Sequence, residues 1–119
     1  MTNPAGGSPP PARPTISTHV LDTGRGAPAP GIPVTLYRLD AGKTPIRMTQ
    51  ALTDADGRVA DLLERPLTAG EYRLEFTVGG EEGSFFSRLA VDVRITDTAR
   101  SYHVPVLLSP YAMTTYRGS

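Results

Sequence analysis

The chain has 119 residues, with 12 basic and 12 acidic side chains, no cysteine and no tryptophan. That length makes one domain with a real core, and the missing thiols exclude disulfide frameworks, thiolate metal sites and cysteine nucleophiles. A net charge of zero argues against nucleic acid as a partner, since duplex binders carry a basic stripe, and no apolar run approaches the ~20 residues of a membrane span.

The first stretch, residues 1–14 (MTNPAGGSPPPARP), is rich in Pro, Gly and Ala and has no apolar period. It reads as a disordered tail with polyproline character, leaving residues 15–119 as the folded domain. The tail lacks the basic-then-apolar layout of a signal peptide, so a cytoplasmic address is expected.

Beyond the tail, period-two alternation dominates. Thr15 to Asp22 sets Ile16, Thr18 and Val20 on one face and Ser17, His19 and Leu21 on the other. Gly24 to Gly31 is a Pro/Gly-rich loop. Ile32 to Leu39 is a strong strand with Ile32, Val34 and Leu36 aligned, and Arg47 to Thr53 a weaker one. Asp54 to Gly57 is a tight turn in which Gly57 supplies a positive φ. Arg58 to Leu63 continues as a strand. Gly70 to Val78 and Arg88 to Thr96 alternate clearly, Tyr102 to Leu108 is a buried strand, and Tyr111 to Tyr116 is the last. The turn spacing gives about eight strands and no helical stripe, hence an all-β sandwich or barrel. Pro105 lies inside the Tyr102–Leu108 strand. It cannot donate to a ladder, so it belongs at an edge, at a bulge, or where its missing N–H faces away.

Histidine is the side chain best matched to proton transfer near neutral pH. Both histidines, His19 and His103, alternate with the aliphatic face of their strands and point away from that core face. Two such residues could meet in one pocket. Taken alone, each reads as an exposed or singly hydrogen-bonded histidine. They do not make a zinc site, which needs at least three protein ligands. Arg58 could clamp an oxygen-rich planar ligand or stabilise an oxyanion, but by spacing alone it reads as a salt-bridge partner. Tyr116 and Arg117 lie within the last four positions, where chain ends usually fray.

Four stretches change the balance: Ile16–Leu39 (ISTHVLDTGRGAPAPGIPVTLYRL), Thr53–Arg58 (TDADGR), Gly70–Phe76 (GEYRLEF) and Tyr102–Ser119 (YHVPVLLSPYAMTTYRGS). Together they resemble the transthyretin-like family, and within it the 5-hydroxyisourate hydrolases; the YRGS ending is specific to that branch. In transthyretin itself the counterparts of His19, Arg58 and His103 are a lysine, an acidic residue and a threonine, and the YRGS ending is missing. The resemblance implies a sandwich of two four-stranded sheets and a homotetramer with sites at the subunit interface. It implies a small purine-derived substrate, 5-hydroxyisourate, opened at a cyclic amide bond without metal or organic cofactor. His103 and His19 would handle protons, with water activation on His103. Arg58 would hold the substrate's oxygens, and Tyr116 would contact its ring. Ser119 would orient a histidine or the water through its hydroxyl or terminal carboxylate. The sequence departs from the family pattern at Gly79–Arg88, which is short and puts the family's helix in doubt, and at Met113, where an aromatic is common. A binding module without catalysis and a structural β-sandwich are the competing readings of the same strand pattern.

Overall fold

The computed structural model describes residues 13–80 and 84–118. The predicted tail, apart from Arg13 and Pro14, lies outside the described residues, as does Ser119.

The described residues form nine strands: β1 (Ile16–Asp22), β2 (Ala27–Pro28), β3 (Pro33–Leu39), β4 (Ile46–Leu52), β5 (Arg58–Val59), β6 (Gly70–Thr77), β7 (Arg88–Ile95), β8 (Tyr102–Ser109) and β9 (Ala112–Thr115). No helix occurs among the described residues, so the Gly79–Arg88 stretch carries none that can be seen there. One sheet runs β4-β3-β6-β7 and is antiparallel. The other runs β2-β1-β8-β9, with β5 also on β1. Its central β1–β8 pair is parallel.

The two sheets close on the apolar faces that the alternation predicts. Ile16 and Val20 of β1, Val34 and Leu36 of β3, Tyr72, Leu74 and Phe76 of β6, and Val106 of β8 are fully buried between them. Burial of such side chains contributes roughly 1.5–3 kcal/mol each. Thr18 is also buried, and its hydroxyl donates to the Val104 carbonyl at 2.6 Å, which satisfies it inside the core. The outer faces differ. On the β6–β7 face, Arg73 pairs with Asp92 at 2.7 Å, Arg94 with Glu71 at 3.3 Å and Arg88 with Glu75 at 3.6 Å, a cross-strand ladder of solvated charge. The opposite outer face carries the histidines.

Two expectations need correction. The Arg58–Leu63 strand ends after Val59. The Asp61 carboxylate accepts the backbone N–H groups of Leu63 at 2.9 Å and Glu64 at 3.1 Å, and this Asx-type turn replaces the ladder. Leu62 and Leu63 swing into the core instead. The Gly24–Gly31 loop in turn contains β2, whose Ala27 and Pro28 pair with Asp22 and Leu21. The histidine-bearing sheet therefore has five strands, because β5 and β2 cover successive stretches of one edge of β1.

The Asp54–Gly57 turn decides where Arg58 sits. One Asp54 carboxylate oxygen accepts from the N–H groups of Asp56 and Arg58, both at 2.9 Å, and the Gly57 carbonyl accepts from the Val20 N–H at 2.7 Å. Gly57 has φ +77°, and a Cβ there would strike the Val20 carbonyl oxygen. Gly57→Ala combines left-handed strain with that clash. It is expected to lower the melting temperature by roughly 5–10 °C. Thermal unfolding checks this, and an unchanged transition would mean that the turn tolerates a side chain.

Candidate active site

His19 and His103 occupy adjacent parallel strands. The register pairs His19 with Pro105, and His103 with Ser17. The histidines are therefore diagonal neighbours, one strand spacing (about 4.8 Å) across and two residues (about 6.6 Å) along. On the far side of β1, Arg58 is paired directly with His19. On the far side of β8, Gly118 bridges to His103, donating its N–H to the His103 carbonyl at 2.8 Å. Arg58, His19, His103 and Gly118 thus form a band across the outer face of the sheet, drawn from four segments of the chain.

Each member is placed by local chemistry. Alternation turns His19 outward, because Thr18 and Val20 are buried on the other face. The same holds for His103 beside the buried Val104. Gly118 approaches the His103 ring so closely that a Cβ would lie 2.7 Å from its Cδ2, so no larger residue fits there without displacing the imidazole. Pro105 serves the same end. Its carbonyl accepts from the Thr115 hydroxyl at 2.8 Å, so its missing N–H points toward the same neighbour. The β8–β9 register would set it opposite Tyr116, where the ladder stops before resuming at Gly118. Proline thus breaks the pairing where Tyr116 leaves the sheet: on this central strand the missing N–H faces β9 rather than away from a neighbour, and it is the ladder that gives way.

Tyr116 is 54% exposed. It lines a cavity of about 280 Å³ with His103, Tyr102, Arg117 and Arg94, at the open edge between the sheets. His19 and Arg58 do not line that cavity. The candidates are therefore brought together in two steps: His19, Arg58 and His103 on the face, then Tyr116 at its rim. Ser119 lies outside the described residues. A larger cavity of about 520 Å³ lies around the β8–β9 turn and includes Asp22, Phe85, Tyr111 and Met113. None of the candidate site residues lines it.

The His103 imidazole is held below its ordinary pKa. Burial is the main cause, followed by the positive Arg58 and by His19; a main-chain hydrogen bond that the ring donates to Ser17 opposes them. A neutral ring near pH 7 suits a proton acceptor. Its Nδ1 lies 2.9 Å from the Ser17 hydroxyl. The sequence alone shows Ser17 only as a neighbour of His19 on one strand face. The signal was a Ser-x-His pattern on one strand face, but which histidine the serine serves depends on the parallel pairing. Among the described residues no trio of histidine and carboxylate side chains is grouped as metal ligands would be.

The fold and site together define a two-sheet β-sandwich with two histidines and an arginine assembled on one outer face. The HIUase/Transthyretin family profile matches residues 16–118, and the chain belongs to this family. It is 40% identical to the 5-hydroxyisourate hydrolase of Deinococcus radiodurans over 116 residues, covering 89% of this chain and 97% of that relative. It is also similar to the solved structure of Klebsiella pneumoniae 5-hydroxyisourate hydrolase, at 38% identity and a TM-score of 0.77, over 89% of this chain and 99% of that one. Transthyretin from Sparus aurata superposes with a TM-score of 0.80 at 25% identity, over 89% of this chain and 97% of that one.

Proposed function

We propose that this protein hydrolyses 5-hydroxyisourate in urate degradation, opening the ring at its amide bond to give 2-oxo-4-hydroxy-4-carboxy-5-ureidoimidazoline. The observation that carries the site is the band of Arg58, His19 and His103 across three neighbouring strands, in a chain 40% identical to a protein of that name. Water adds to the carbonyl carbon, the C–N bond breaks, and the ring nitrogen leaves with a proton. His103 takes the proton from water, since burial and the positive Arg58 favour its neutral form. His19 supplies the proton for the departing nitrogen. Arg58, opposite His19, faces the negative charge that builds on the carbonyl oxygen. Tyr116 packs against the ring from the rim, and Ser119 orients a histidine or the water. No step calls for a metal or organic cofactor. A cytoplasmic setting belongs to this reading and suits the cysteine-free composition.

The functional unit in this reading is a homotetramer with sites between subunits. Leu21, Pro28 and Leu107 lie beside the histidines on the same outer face, an apolar strip that a second copy would cover. β7 and β9 end their sheets on the same side of the sandwich and offer edges for lateral pairing.

The substrate decays unaided in water, so the test is a difference of rates. Freshly generated 5-hydroxyisourate should disappear faster with the protein than without it at neutral pH, and native mass should equal four copies. Equal decay with and without protein would overturn the hydrolase reading, and thyroid-hormone binding in its place would favour a carrier.

A further inference from the structure

We propose that Ser17 is the positioning residue of His103: its hydroxyl accepts a hydrogen bond from the Nδ1–H of the imidazole and donates its own O–H to the Tyr102 carbonyl, so that the Nε2 lone pair stays free to take a proton. For the reaction this rests on the hydrolase reading above; for the state of the ring it stands alone.

Three observations carry it. Ser17 and His103 are register partners on neighbouring parallel strands, so their side chains leave the same face side by side. The Ser17 Oγ to His103 Nδ1 distance is 2.9 Å, and both groups are half-buried, where water competes poorly for the bond. The hydroxyl also has an acceptor of its own, the Tyr102 carbonyl at 3.5 Å. A hydroxyl carries one proton and two lone pairs. With its proton directed to that carbonyl, the hydroxyl presents a lone pair to the ring, and an Nδ1–H is the donor that matches it. A main-chain hydrogen bond to Ser17 also favours the protonated ring. The tautomer of a histidine is set by the bond its other nitrogen makes. Here that leaves Nε2 as the basic atom.

The alternative arrangement reverses the bond: the serine proton goes to Nδ1 and the ring carries its hydrogen on Nε2. A ring in that state cannot accept a proton from water at Nε2. The other groups facing His103 do not settle the choice. His19 on β1 and Arg58 on β5 act through charge, and Tyr116 and Arg117, after β9, share its cavity.

The test uses the full chain with Ser17→Ala and Ser17→Thr. Nitrogen NMR of the imidazole reads both the tautomer and the titration of His103. In the parent protein the neutral ring should carry its proton on Nδ1. Ser17→Ala should shift the population toward Nε2–H and move the His103 midpoint to lower pH, because an acceptor that stabilises the charged ring is lost. The same variant should lower kcat about tenfold with little change in KM. Ser17→Thr, which keeps the hydroxyl, should restore both readouts. A parent ring protonated on Nε2, or a tautomer and midpoint unmoved by Ser17→Ala, overturns the proposal. Failure of the parent protein to speed 5-hydroxyisourate loss would instead sink the hydrolase reading, leaving the NMR result to judge Ser17.

Discussion

Replacing His103 by Asn is expected to lower kcat/KM by roughly 10²–10⁴-fold while leaving the fold in place. Asn can still meet the Ser17 hydroxyl where Nδ1 stood, 2.9 Å away. It has no atom that accepts a proton at neutral pH where Nε2 stood. The position is half-buried on an outer face, so the change removes chemistry more than core packing. The pH dependence gives a second, independent readout. His103 is held below the ordinary imidazole pKa by burial, Arg58 and His19. As a base it works only when neutral, so the parent rate is full above that depressed midpoint and falls as pH drops through it. The acid limb should therefore lie below the ordinary imidazole range, and in His103→Asn it should vanish along with the rate. Steady-state rates across pH, with the melting temperature as control, decide the matter. A variant that keeps the parent rate would remove His103 from the mechanism.

Alternation made the outward turn of both histidines legible, because a strand buries one face and the period reports which. Thr18 and Val20, buried around His19, and Val104, buried beside His103, follow that pattern. The hydrogen-bond partner of His103 was not legible. Ser17 stands two residues before His19 on the same face, and nothing local says that it serves a residue 86 positions away. Only the parallel pairing of β1 with β8 makes that contact. The sequence drew β5 too long and missed β2 for a different reason. β5 stops because the Asp61 side chain captures backbone amides, and β2 is two residues among Pro and Gly. Hydrophobic pattern carries no trace of a side chain competing with a ladder. Gly57 and Gly118 lie between these cases. The turn revealed the first by its composition, whereas the need for the second follows from the His103 ring that it faces.

Arg58→Ala is expected to show two separable effects, and their combination tests the site more sharply than a loss of rate. The first is a fall in kcat of roughly 10²–10³-fold, the scale of removing a donor that stabilises an oxyanion. The turn should survive, since it is the Arg58 main-chain N–H, not its guanidinium, that bonds Asp54 at 2.9 Å. The second concerns His103. Arg58 is one of the charges that lower the His103 pKa. Without it the imidazole holds its proton to higher pH, and the acid limb of the rate profile moves up. The deficit in Arg58→Ala should therefore be larger at acidic pH than at alkaline pH, where His103 is neutral in both proteins. Arg58→Lys separates the effects further. It keeps the charge, so the limb should return toward the parent position. It lacks the planar fork, so the rate should recover only in part. An Arg58→Ala profile parallel to the parent at every pH would mean that the guanidinium and the His103 ring do not sense each other. The band of residues across β5, β1 and β8 would then not be a single site.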